Sequence, residues 1–246
     1  MPVFFAVRRP AVQCLLWVAC VTSTGAWAQY RPEVATQIGA NRDILRETEI
    51  KAATEESLRP QIATPLMAAQ RLMQDQQPGP AAEKIAGAER VTNKSGYERH
   101  VIARVKTGLA AQTGDAAQAA QSYDLASNGK WWPIAEKAAM TQTIAGLFYD
   151  AKQYSQAAAW YERYAQLAGP TPATELMRAQ SHYLLTDFDS AAKVLEPMVQ
   201  KVIADGQSPS EISLRLLADA RNKTGDSAGY QRATDLLARY YPIKAP

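Results

Sequence analysis

The chain has 246 residues, 47% hydrophobic and 21% charged, with 27 basic and 24 acidic side chains and a formal net charge of +3. So small an excess gives no electrostatic case for nucleic acid or an anionic lipid surface as a partner. The two cysteines, Cys14 and Cys20, both fall in the first 20 residues, so the rest of the chain offers no disulfide or thiolate chemistry.

Residues 1–28 read as a secretory signal. Arg8 and Arg9 supply the charged start, Ala11 to Val21 the apolar stretch, and Ala26-Trp27-Ala28 a small-x-small cleavage site. The apolar stretch is well short of the roughly 20 residues that span a bilayer. Cleavage after Ala28 is expected, with export to the periplasm and no membrane insertion of what remains. Cys20 is a poor lipid anchor, because Trp17 is too bulky for the segment that normally precedes one. Loss of the leader removes two arginines and no acid, leaving 25 basic against 24 acidic side chains.

Residues 29–60 mix charges with Val34, Ile38, Ile44, Leu45 and Ile50 and end at Arg59-Pro60. This pattern suits either a helix capping the next element or a flexible arm.

Residues 61–246 read as a repeat domain. From Tyr154 to Tyr164, Ala157 is followed by Tyr161 four later and Tyr164 three after that, the spacing of the second helix of a tetratricopeptide hairpin. Phe188, Ala191, Leu195 and Met198 repeat it 34 residues on, the period of that hairpin. Weaker copies are Ala82 with Ala86, Ala119 with Tyr123 and Ala126, and Ala233 with Leu237 and Tyr240. First helices are marked by Ile144-Ala145 with Phe148, and by Ala179 with His182 and Tyr183. Irregular spacing puts insertions at residues 127–133 and 205–209. Ser95 with Glu98 and Ser208 with Glu211 read as capping boxes, with Pro209 in the first helical turn. Asp115 and Asp226 read as helix starts; Gly79, Gly114 and Gly225 read as inter-helix turns. The hairpins are expected at about 62–92, 96–127, 133–168, 172–204 and 209–240. The fold class is therefore all-α, a tetratricopeptide-like solenoid of about five hairpins in a right-handed superhelix.

The stretch from Ser95 to Pro242 resembles a proteobacterial family of exported tetratricopeptide proteins, some found beside TonB-type systems. Carrying the resemblance are Gly96-Tyr97-Glu98-Arg99, Thr113-Gly114-Asp115, Ile144 to Tyr149, Trp160 to Tyr164, Ser208 to Glu211, Ala228-Gly229-Tyr230 and Leu236 to Pro242. It implies an envelope protein that binds other proteins. The sequence lacks the lysine and asparagine clamp by which some members hold a terminal carboxylate.

Motifs for catalysis, metals or cofactors are not found. His100 and His182 stand on different hairpins without a zinc or hydrolase context, and no glycine-rich phosphate loop is present. The expectation is a protein that is not an enzyme and needs no cofactor or metal. Binding falls to the inner face lined by first helices, through Val101, Arg104 and Gly108, then Gln142, Gly146 and Tyr149, then Leu176, Gln180 and Tyr183. Amides, tyrosines and apolar surface suit a peptide of another envelope protein better than a charged metabolite. The alternative is an accessory factor of envelope assembly or TonB-type energy transduction, acting through the convex face or self-association. There Trp131, Trp132 and an outward Trp160 would carry the contact.

Overall fold

The computed structural model describes residues 57–242. The chain divides into two units, Met1–Thr54 and Glu55–Pro246, and the described residues belong to the second. The expected leader and almost all of the expected cap or arm lie outside the described residues.

Every regular element among the described residues is a helix: α1 Pro60–Gln74, α2 Pro78–Glu89, α3 Gly96–Thr113, α4 Ala116–Ser127, α5 Ile134–Asp150, α6 Tyr154–Ala168, α7 Pro172–Leu184, α8 Phe188–Ala204, α9 Glu211–Lys223 and α10 Ser227–Tyr240. Consecutive helices pack in pairs, α1 with α2 through α9 with α10, and each pair packs on the next. This is an all-α, tetratricopeptide-like stack of five helical hairpins.

One turn builds all five hairpins. Two residues before each second helix the backbone is left-handed, at Gln76, Gly114, Lys152, Thr186 and Gly225, with φ between 57° and 78°. The next residue then donates its N–H to the carbonyl five back: Gln77 to Leu72, Asp115 to Ala110, Gln153 to Phe148, Asp187 to His182 and Asp226 to Arg221, at 2.8–3.0 Å. This bond is the helix-ending Schellman closure, which satisfies carbonyls that the helix leaves open. Only two of the five left-handed sites carry the glycine that accepts this conformation without steric cost. Asp115, Asp187 and Asp226 then cap the following helix by accepting from the N–H three residues on.

The second helices share a packing frame as well. Ala81, Ala119, Ala157 and Ala191 each lie three residues after the start of their helix, and each is 0% exposed. A methyl at this place lets the two backbones of the hairpin approach closely. The expected markers Ala82 and Ala86 were one residue out of frame: Ala81, Ile85 and Ala88 are buried, and Ala82 is exposed. Helix α10 breaks the frame, with exposed Tyr230 at the alanine place and Gly229 and Ala233 buried instead.

Several local expectations are corrected. Helix α9 is capped by Ser210, whose hydroxyl accepts from Ser213 N–H, not by a box of Ser208 with Glu211. Pro209 precedes that cap, is buried, and offers its carbonyl to the Tyr241 hydroxyl at 2.8 Å. Gly79 lies inside the first turn of α2, where the preceding Pro78 starts the helix. The Ser95–Glu98 box is present at α3, and a second box, Thr171 with Thr174, starts α7.

The core falls into three clusters: Ile62, Leu66, Ile85 and Ile102 across α1 to α3; Tyr123, Trp132, Ile144, Phe148, Trp160 and Tyr161 across α3 to α6; and Leu195, Val199, Leu214 and Leu217 across α7 to α10. Trp160 points inward and is 6% exposed, against the outward expectation. Its ring lies 5.2 Å from Tyr123 and 6.4 Å from Phe148, with Arg163 over its outer face at 4.0 Å. Trp132 is buried at 5.2 Å from Tyr123. The insertion at residues 127–133 is thus the plug between the second and third hairpins.

Candidate functional site: the surface lined by first helices

First helices α1, α3 and α5 touch in succession, as do α7 and α9. The shared turn makes their side chains comparable by distance from the second helix. Twelve residues before it stand Arg104, Gln142, Leu176 and Arg215; eight before, Gly108, Gly146, Gln180 and Asp219; five before, Tyr149 and Tyr183. Six of the nine expected groove residues of hairpins two to four therefore form two lanes along the stack, with Tyr149 and Tyr183 forming a third. Val101 is the exception: it sits one turn earlier and packs against the first core cluster. Arg215 and Asp219 extend the lanes to the fifth hairpin. The sequence reading missed them because it aligned hairpins on apolar residues, whereas counting back from Asp226 finds them.

Two of these residues tie neighbouring first helices together. The Arg104 guanidinium on α3 pairs with Glu136 on α5 and lies 5.6 Å from the Trp132 ring. The Tyr183 hydroxyl on α7 donates to the Asp219 carboxylate on α9, and this bond, with some burial, raises the Tyr183 pKa. Tyr183 also meets Phe188 edge-on at 5.0 Å. Among the described residues no tie of this kind joins α5 to α7, whose closer packing is to α6. Arg178 of α7 reaches back to Glu162 of α6 while also holding Glu175.

Gln142, Gly146 and Tyr149 of α5 and Leu176, Gln180 and Tyr183 of α7 are all half-buried. A Cβ at Gly146 would meet nothing within 4 Å, whereas one at Gly108 would meet the Met73 terminal methyl at 3.5 Å. Tyr149 is steadied by an edge contact with Tyr154 at 5.5 Å, and burial raises its pKa. Asp150 beside it has its pKa raised by burial too. Neither Gln142 nor Gln180 spends its amide on a hydrogen bond within the described residues. A half-exposed amide with both donor and acceptor unspent is suited to a peptide backbone.

The histidines take no part here. His100 is 4% exposed with Nδ1 2.9 Å from the Ala126 carbonyl oxygen, and His182 Nδ1 lies 3.2 Å from Asp187. Among the described residues no three side chains of His, Cys, Asp or Glu converge as metal ligands, and no helix is long and apolar enough to cross a membrane.

No family model matches the chain, and no curated protein matches it. Among solved structures, it is similar to the nearly identical TPR-like repeats of a putative kinesin light chain from Podosopora anserina. Identity there is 15% over 74% of this chain and 97% of that one, with a TM-score of 0.41. It is also similar to pilF of Pseudomonas aeruginosa, at 16% identity over 73% of this chain and 91% of that one, with a TM-score of 0.39.

Proposed function

We propose that this chain is an exported periplasmic interaction scaffold, receiving an extended peptide of another envelope protein across α5 and α7. Support for export comes from the charged start, apolar stretch and small-x-small site of residues 1–28. Support for the surface comes from one observation above all: α3 with α5 and α7 with α9 are bolted together by Arg104–Glu136 and Tyr183–Asp219, while among the described residues no such bond joins α5 to α7, and a Cβ at Gly146 would meet nothing within 4 Å. A glycine in a helix interior costs about 0.5–1 kcal/mol relative to alanine. Here no neighbouring side chain occupies the space it leaves. A peptide backbone lying against Gly146 would explain both facts, with Gln142 and Gln180 to hydrogen-bond it and Tyr149 and Leu176 to receive its side chains.

Of the three tryptophans that the rival reading relies on, Trp132 and Trp160 are core residues, which leaves it the half-buried Trp131. The test is photo-crosslinking in cells from an amino acid placed at Gln142 or Gln180, against one at exposed Lys193. A discrete adduct from the first two sites, abolished by Gly146→Leu, is expected. Equal adducts from Lys193, or adducts indifferent to Gly146→Leu, would overturn the assignment.

A further inference from the structure

The second hairpin also lines a cleft of its own. Between the end of α2, the first half of α3 and the last turn of α4 lies an open cleft of about 510 Å³. Trp131 and Leu125 form its apolar wall, and Leu125 is 70% exposed, the most exposed large apolar side chain among the described residues. His100 reaches the cleft from α3.

Two cations of the cleft, Lys94 and Arg99, are held in place but not neutralised. Lys94 Nζ donates to the carbonyls of Glu89 and Val91 at 2.8 and 2.5 Å, and Arg99 donates to the Lys94 carbonyl at 2.5 Å. Neither meets a carboxylate among the described residues, whereas Lys106 further along α3 is paired with Glu89 at 2.7 Å. Fixing two positive charges on carbonyl dipoles, with no anion, leaves a site whose ordering is complete before an anion arrives.

His100 lines the same cleft. Its Nδ1 faces a carbonyl oxygen, which can only accept, so Nδ1 carries the proton and Nε2 presents a lone pair. An occupant with an N–H beside its negative charge can donate to that lone pair. The stretch of α3 that lines the cleft, from Arg99 to Lys106, is seven residues of helix or roughly 10 Å, the length of about three residues of extended chain.

We infer that this cleft binds a short acidic segment of a partner polypeptide, with carboxylates on Lys94 and Arg99, a backbone N–H on His100 Nε2, and an aliphatic side chain against Leu125 and Trp131. It is separate from the surface between α5 and α7, and stands or falls independently of it.

The test titrates the full chain with the probe acetyl-Glu-Glu-Leu-Glu-amide by calorimetry, with acetyl-Lys-Lys-Leu-Lys-amide and glutarate as comparisons. Binding of the acidic probe alone is expected, weakening with salt and falling about tenfold in the Lys94→Ala/Arg99→Ala variant. Leu125→Glu, at a site too exposed to disturb folding, should weaken it as well. Binding equal to the basic peptide, or insensitive to both variants, would overturn the inference, as would no heat at millimolar probe. Glutarate binding as well as the peptide would replace the polypeptide by a small dicarboxylate. A dimer in sedimentation that Lys94→Ala/Arg99→Ala dissolves would make the occupant a second copy, against the inference. The Gly146→Leu variant should bind the probe unchanged.

Discussion

Arg59 and Glu98, 39 residues apart, lock the start of the first hairpin to the start of the second. Arg59 Nε lies 2.7 Å from one carboxylate oxygen and its second guanidinium nitrogen 2.9 Å from the other, while its backbone N–H also reaches the carboxylate at 3.2 Å. The same carboxylate accepts from Ser95 N–H at 2.8 Å to complete the capping box, so one side chain, 1% exposed, serves both hairpins. The guanidinium bond and those backbone donors outweigh burial and hold the Glu98 carboxyl at a pKa of about 2.

A depressed carboxylate stabilises the fold above its unfolded pKa of about 4.3, and that contribution is lost as pH falls toward 2. The loss should be on the order of 2 kcal/mol, discounted for the partly exposed Arg59. Urea denaturation of the wild type between pH 5 and 2 should show it. Glu98→Gln should be less stable at pH 7 by about 2–4 kcal/mol and should flatten that slope.

Burial, opposed by the Ala126 carbonyl, lowers the His100 pKa, so the folded chain binds this proton less readily than the unfolded one. Stability should therefore drop as pH falls below about 6.5, ahead of the Glu98 step and in the same direction. An imidazole resonance of His100 titrating at or above the ordinary value in NMR would contradict this.

Thr186 holds φ at 61° where the equivalent turns of the second and fifth hairpins use glycine. A β-branched residue is strained there by roughly 1 kcal/mol or more. Thr186→Gly should raise thermal stability despite the added freedom of the unfolded chain. Gly114→Ala, made at φ 78°, should lower it by about 1 kcal/mol.

Gly146 and Gly129 separate a glycine kept for open space from one kept for contact. Gly146→Ala should stabilise α5 by about 0.5–1 kcal/mol, because nothing meets the new methyl. Gly129→Ala would set its methyl 2.6 Å from the Trp131 ring and should destabilise the insertion. Paired denaturation curves decide both signs.

Trp160→Ala should cost about 3–5 kcal/mol, since it opens the core between Tyr123 and Phe148. Leu125→Ala, at 70% exposure, should stay within about 0.5 kcal/mol. Similar losses from both would mean that Trp160 is not the keystone of the middle cluster.

The sequence by itself determined the helical class, the hairpin count and the middle limits of the array. Those rest on local facts: alanines spaced for close helix approach, aspartate caps, and turns whose chemistry lies within a few residues. It misplaced Ala82 by one position because α2 carries alanines at both Ala81 and Ala82, and composition cannot tell which faces inward. Nor could it tell that Ser210 and not Ser208 caps α9, since both serines stand three residues before a suitable partner. Only the tertiary structure decided that Arg104 and Tyr183 join neighbouring first helices, that Trp160 turns inward, and that Arg59 closes on Glu98. Each of these depends on a partner 25 or more residues away, whose distance is set by how hairpins stack and not by any local pattern.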